Sequence, residues 1–223
     1  MVSTPIGNLK DVTYRAIEIL ENVSIIAAED TRHSRILLKH YNISTPVISY
    51  FEYNRLTRIP SIVKMLCSGK DVGLITDAGT PGISDPAYKL IRAAIDENVV
   101  VSPIPGPSAV IAALVSSGLP TDRFVFEGFL PPKKGRRKRL HSLLGETATI
   151  VIYESPKRLN RTLNDLLNEL GDRPAVVGRE ITKIYETMHR GTISELMAYF
   201  IAHPAKGECV ILIGKENPNV HFS

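Results

Sequence analysis

The sequence predicts an α/β protein of two lobes that binds its ligand where strands give way to helices. Short apolar runs alternate with segments of helical periodicity along nearly the whole chain. Three turns built from glycine, proline and small hydroxyl residues follow such runs in the first half. The composition is that of a globular protein, with 43% hydrophobic and 22% charged residues in a chain of 223, long enough for one large or two small domains.

Taken in order, the predicted strands of the first half are Ser24 to Ala28, Val47 to Tyr50, Val72 to Ile75 and Val99 to Pro103. Those of the second half are Arg123 to Glu127, Thr149 to Tyr153, Ala175 to Gly178 and Cys209 to Ile213. Each is a short run of mostly aliphatic or β-branched residues bounded by turn formers. Leu56, Ile59, Ile62, Val63 and Leu66 make an apolar helical stripe in which Pro60 must lie in the first turn or break the helix. Pro107 to Val115 reads as a buried helix of small and aliphatic residues ending near Ser117-Gly118. Leu159, Leu163, Leu166, Leu167 and Leu170 share one helical face, with Ser155 placed to cap that helix and Pro156 in its first turn. The lobe boundary is drawn at Gly118-Leu119-Pro120-Thr121, giving an N-terminal α/β domain over 1–118 and a C-terminal α/β domain over 119–223. Clefts between lobes are preferred ligand sites.

Several classes are excluded. No apolar run approaches the ~20 residues that span a bilayer, and the first residues carry no basic-then-apolar signal, which points to the cytoplasm. Met1-Val2 runs straight into a turn, so a trimmed or alternative start is allowed for. Cys67 and Cys209, the only cysteines, give neither a metal cluster nor a disulfide framework and are expected to be core thiols. The net charge of +4 is concentrated: Lys133, Lys134, Arg136, Arg137, Lys138 and Arg139 are interrupted only by Gly135, a density that suggests a polyanionic partner such as an RNA backbone, with Arg32 and Arg35 as extensions, against the competing reading of a lysine-rich helix that serves solubility.

The most informative turn is Asp77-Ala78-Gly79-Thr80-Pro81-Gly82-Ile83-Ser84-Asp85. Its small residues allow close approach of a ligand, Pro81-Gly82 suits the middle of a type II turn, and Asp85 can cap the next helix. It carries carboxylates where a phosphate cradle would carry a lysine, so it suits a ligand with hydroxyls or positive charge. Thr4-Pro5-Ile6-Gly7-Asn8 and Pro105-Gly106-Pro107-Ser108-Ala109 are the companion turns. Neither a dinucleotide fingerprint nor a phosphate loop occurs.

Together with Glu29-Asp30-Thr31-Arg32, Tyr153-Glu154-Ser155-Pro156, Gly178-Arg179-Glu180, Thr182-Lys183 and Lys206-Gly207-Glu208, these turns resemble the bacterial 16S ribosomal RNA cytidine 2'-O-ribose methyltransferases, a branch of the tetrapyrrole-methylase-like superfamily. The resemblance runs from Thr4 to about Gly214 and departs in a shortened first strand. It implies the two-lobed class III methyltransferase fold, a homodimer, S-adenosylmethionine in the cleft between lobes, and 16S rRNA or the assembled small subunit as substrate, methylated at a decoding-centre ribose. Carried over, the cofactor contacts are Pro5, Gly7, Asp77, Gly79, Gly82, Ile83, Ser108, Ala109, Tyr153 and Glu208.

A ribose hydroxyl is a poor nucleophile while protonated, so a base or an oxyanion-stabilising cation is expected. Glu29, Asp30, Arg32, Glu154, Arg179, Glu180 and Lys183 are candidates, with structural ion pairing as the competing reading for each. Lys183 and Glu180 are preferred, with Asp30 in reserve. Phe51 and Tyr53 are candidate stacking surfaces for an unpaired base, against the commoner fate of aromatics as core residues. A superfamily member acting on a tetrapyrrole or a protein side chain is the alternative, though it would not need the basic segment.

Overall fold

The computed structural model of the chain describes residues 1–215 and residue 222, and divides into two compact units, Met1–Ser108 and Ala109–Ser223. In the first unit the order is α1 (Tyr14–Asn22), β1 (Ile25–Ala28), α2 (Thr31–His40), β2 (Val47–Ser49), α3 (Arg55–Cys67), β3 (Val72–Ile75) and α4 (Ala87–Asp96). The strands form a parallel sheet in the order β2-β1-β3. Alternation along β1 assigns its two faces: Ile26 and Ala28 pack with Ala16 and Leu20 of α1 and Leu38 of α2, whereas Ala27 packs with Ile62 of α3 and Leu90 of α4. The Thr13 hydroxyl caps α1 and the Asp30 carboxylate caps α2, so both helices start where the sequence supplies a side-chain acceptor.

The second unit contains α5 (Ala109–Ser117), β4 (Phe124–Phe129), α6 (Arg136–His141), β5 (Thr149–Glu154), α7 (Leu159–Leu170), β6 (Pro174–Arg179), β7 (Thr187–Thr192), α8 (Ile193–Ala202) and β8 (Cys209–Ile213). Its sheet runs β4-β5-β8-β6-β7, with β4 parallel to β5 and the other pairs antiparallel. Ile150, Ile152, Ile211 and Ile213 face α7 and α8, and Val151, Val176, Val210 and Leu212 face α5. Both faces are covered, which is why β8 is apolar at every position. A capping box between Thr192 and Glu195 starts α8.

Several expectations are corrected. The division falls before α5, since Val110, Ala113 and Leu114 bury themselves against the second sheet. Residues 99–103 form no ladder. Ile104 alone forms a bridge, with Val2, while the Met1 amino group donates to the Ser102 carbonyl at 2.9 Å, and the stretch borders a cavity of about 450 Å³ of mixed polar and apolar lining at the amino end of β3. Pro60 lies inside an unbroken α3, beyond its first turn; its missing N–H removes one helical bond on an exposed stretch, where water can satisfy the carbonyl. Ser155 and Pro156 lead a turn ahead of α7, which opens at Leu159: the Arg158 amide donates to the Ser155 carbonyl at 3.0 Å, and among the described residues no side chain caps the helix. Strand β7 was not expected, and Cys67 is exposed while Cys209 is buried. Among the described residues no helix is long and apolar enough to cross a membrane, and no group of three or more His, Cys, Asp or Glu could hold a metal ion.

Candidate functional site

The three small-residue turns meet at one edge of the first unit. The amides of Thr4 and Gly79 each donate to the other's carbonyl, at 2.9 and 3.1 Å. The Ser3 hydroxyl donates to Thr80 Oγ1 at 3.1 Å, and the Thr80 hydroxyl donates to the Pro107 carbonyl at 3.1 Å. A side chain at Gly106 would press to 2.8 Å from the Ser3 Cβ, so the contact requires glycine there. Thr80 to Ile83 closes the expected turn, with the Ile83 amide 3.3 Å from the Thr80 carbonyl and Gly82 at φ +95°. Asp85 receives the amides of Ala87 at 2.8 Å and Gly82 at 2.7 Å, which fastens the loop to the start of α4.

Acidic groups gather at the carboxyl ends of β1 and β3. The Asp30 amide donates to Asp77 Oδ1 at 3.0 Å, and the Thr76 hydroxyl donates to Glu29 at 2.7 Å. Partial burial, reinforced by Glu29 and Asp30, raises the Asp77 pKa above its ordinary value. Asp30 differs. Arg32 hydrogen-bonds its carboxylate and holds its pKa down to about 2, which makes Asp30 a poor proton acceptor. Pro5, Gly7, Gly79, Gly82, Ile83 and Ser108 all belong to these turns. The edge offers carboxylates, hydroxyls and backbone groups, and the Asp77 loop carries no lysine or arginine. That donor set fits a cationic ligand bearing hydroxyls.

In the second unit the structure brings Lys183, Glu180 and Glu208 together. Lys183 Nζ donates to Glu180 Oε1 at 3.0 Å and to Glu208 Oε2 at 2.7 Å, and the Glu208 amide donates to Glu180 Oε1 at 2.9 Å. Glu180 and Thr182 both adopt left-handed backbone, at φ +52° and +67°. The buried Thr182 hydroxyl has no hydrogen-bond partner among the described residues. Backbone strain of this kind persists only where surrounding contacts over-determine it and concentrates at functional positions. Burial opposes the charges of Lys183 and Glu180, but their hydrogen bonds win: the Lys183 pKa is raised and the Glu180 pKa is lowered. Sequence reading preferred Lys183 and Glu180 together and quoted Lys206-Gly207-Glu208 among its motifs, but gave Gly207 no role of its own.

Tyr153, the residue before Glu154 in β5, packs edge-on against Phe126 with ring centroids 4.9 Å apart, and burial pushes its phenol up to about 12. Ala109 opens α5. Glu154 is buried and structural: it accepts from the Ser155 amide and the Thr162 hydroxyl and pairs with Arg158 at 3.1 Å.

The basic segment is only partly a free surface. Arg136 is 4% exposed, pairs with Asp165 at 2.7 Å and donates to Thr162 and the Pro131 carbonyl, so its placement among the RNA contacts is corrected to a structural anchor. Arg139 pairs with Glu127, and Arg137 lies 4.0 Å from Glu169. Lys133, Lys134 and Lys138 are exposed and form no ion pair with a described residue. Arg32 is exposed and bound to Asp30.

Residues 1–197 match the family model described as Tetrapyrrole (Corrin/Porphyrin) Methylases. The chain is 51% identical to a Ribosomal RNA small subunit methyltransferase I of Synechocystis sp. over 96% of its own length and 78% of that protein. It is 46% identical to the protein of the same name in Thermotoga maritima, over 97% and 98% of the two chains. Among solved structures, diphthine synthase superposes with a TM-score of 0.74 at 13% identity, covering 96% of this chain and 88% of that one. A cobalt precorrin-4 methyltransferase superposes with a TM-score of 0.71 at 18% identity, covering 96% and 92%. These two show the fold.

Proposed function

The chain belongs to the tetrapyrrole methylase family, and from that premise and its ribosomal RNA methyltransferase relatives we infer that it methylates the 2'-hydroxyl of a cytidine ribose in the 16S rRNA of the small ribosomal subunit. It is an S-adenosylmethionine-dependent rRNA methyltransferase. The choice of ribose hydroxyl, of cytidine and of the decoding centre is the proposed part, as are a homodimeric state and work in the cytoplasm. The observation that carries the site assignment is the carboxylate-bearing turn from Asp77 to Asp85, packed against its two companion turns without a phosphate-binding cation.

When bound, S-adenosylmethionine supplies a methyl group carried on a sulfonium. Asp77 and the backbone of Gly79, Gly82 and Ile83 are proposed to hold the donor's cationic and hydroxyl groups. Transfer to a hydroxyl is an in-line displacement, so most of the acceleration can come from holding the acceptor oxygen in line. Lys183 remains protonated at neutral pH, and its N–H donors would stabilise the ribose oxyanion formed as the 2'-proton passes to solvent water, before that oxygen bonds the methyl carbon and the carbon–sulfur bond breaks. Glu180, with its depressed pKa, orients Lys183 rather than taking the proton. Lys133, Lys134 and Lys138 neutralise RNA phosphates and set the position of the substrate without reading its bases.

The test is to incubate the protein and methyl-labelled S-adenosylmethionine with small subunits from cells lacking this activity, then map the labelled nucleotide. Label on a cytidine 2'-oxygen is expected. Label on a base, or none in RNA, overturns the assignment.

A further inference from the structure

Phe51 and Tyr53 stand in water on a turn that is not loose. Tyr53 is 93% exposed and Phe51 36%, and their rings meet edge-on with centroids 6.3 Å apart. The side chain of Asn54 fastens the turn at both ends: its Oδ1 accepts the Phe51 amide at 2.8 Å, and its Nδ2 donates to the carbonyl and hydroxyl of Ser49 at 3.3 and 3.2 Å. The Asn54 amide returns a bond to the Phe51 carbonyl at 3.1 Å. Two aromatic rings that serve no core are therefore carried on a turn whose backbone is fixed.

Their position is equally defined. Ser49 pairs with Ala28 in the parallel ladder, and the Tyr50 amide donates to the Ala28 carbonyl at 2.8 Å, so the turn lies beside Glu29-Asp30-Thr31-Arg32 at the carboxyl edge that also carries Asp77. Arg32 is exposed on one side, and Arg55, paired with Glu52, and exposed Arg58 follow at the start of α3. Exposed aromatic faces bordered by guanidinium groups are the chemistry that captures unpaired bases: every base has a π-face, and the cations meet its phosphates.

We propose that Phe51 and Tyr53 form a stacking platform for an unpaired nucleobase of the RNA substrate next to the methylated nucleotide. The proposal rests on the reading of the protein as an rRNA methyltransferase and adds where the substrate strand is gripped. Binding energy from stacking is uniform between ground and transition states, so it acts on KM and leaves kcat in place.

The chain contains no tryptophan, so Tyr53→Trp creates a single indole reporter. Titration with single-stranded oligocytidylate of about eight nucleotides is expected to quench it, and an abasic oligomer of equal length is not. Equal quenching by both, or none while the oligomer binds, overturns the platform. With small subunits, Phe51→Ala and Tyr53→Ala are each expected to raise KM about tenfold, with kcat within about twofold and methyl-donor affinity unchanged. Tyr53→Phe is expected to match the parent protein. A Tyr53→Leu variant with unaltered KM would mean an apolar protein contact and would also overturn the proposal. Should the parent protein transfer no methyl to RNA, the functional reading fails instead, and the indole titration still decides whether bases stack at position 53.

Discussion

Gly207 lies so close to Glu180 that a methyl group at position 207 would overlap the Glu180 carboxylate, and its φ of +78° is one that other residues rarely adopt. The two residues are held together by the Glu180 amide bond to the Glu208 carbonyl at 2.9 Å and the Glu208 amide bond to Glu180.

Gly207→Ala is therefore expected to displace Glu180 and disperse the Lys183 cluster. The combined backbone strain and overlap should cost about 1–3 kcal/mol of stability. Methyl transfer should fall by more than stability explains, measured as kcat at a temperature where the variant is fully folded. Unchanged kcat would remove the cluster from the reaction.

Lys183→Met removes the cation and is expected to lower kcat about 100-fold or more with little change in donor affinity. The folded pKa of Lys183 is raised, so its contribution to stability is complete below the ordinary lysine value and is lost as pH rises through the folded value. Activity limited by this cation should accordingly persist through mildly alkaline pH and decline only at the alkaline extreme. A decline near neutrality in the parent protein that is absent from Lys183→Met would contradict the assignment.

Asp77→Asn is expected to weaken S-adenosylmethionine binding about tenfold or more, read by calorimetry. Because burial raises the Asp77 pKa, the parent protein should begin to lose affinity on acidification sooner than an ordinary carboxylate would predict. The variant should show a flatter pH dependence; an identical one would acquit Asp77.

Lysines and arginine of the basic segment should separate cleanly. Replacing Lys133, Lys134 and Lys138 with Gln is expected to reduce the slope of log affinity against log salt by about 2–3 while stability stays constant. Arg136→Ala should lower stability by about 2–3 kcal/mol, because it takes from Asp165 its close cation and from the Thr162 oxygen one donor, with the partial exposure of Asp165 and the bond Thr162 keeps to Glu154 moderating the loss. Chemical denaturation and salt-dependent RNA binding distinguish the two outcomes.

What could be read from residues alone follows a physical line. Strands β3 and β8 were legible to the residue, because a strand covered on both faces is an uninterrupted apolar run between turn formers. The edge strand β7, Thr187-Met188-His189-Arg190-Gly191-Thr192, lacks such a run and was missed. Residues 99–103 have the composition of a strand, but ladder formation depends on what stands opposite, and local sequence does not report that. The Asp77 loop was legible because glycine, proline and a capping aspartate act on their own backbone. Arg136 was misread because a run of cations hides that α6 turns one face inward, although its i,i+4 spacing to buried Leu140 was there to find.

The unequal surroundings of the two thiols have a practical use. Cys209 opens the central strand of the second sheet and is buried, with burial pushing its pKa up to about 11, while Cys67 ends α3 in contact with solvent. A maleimide dye or spin label added to the native protein should thus modify one site only, giving a spectroscopic observer on the first unit without engineering.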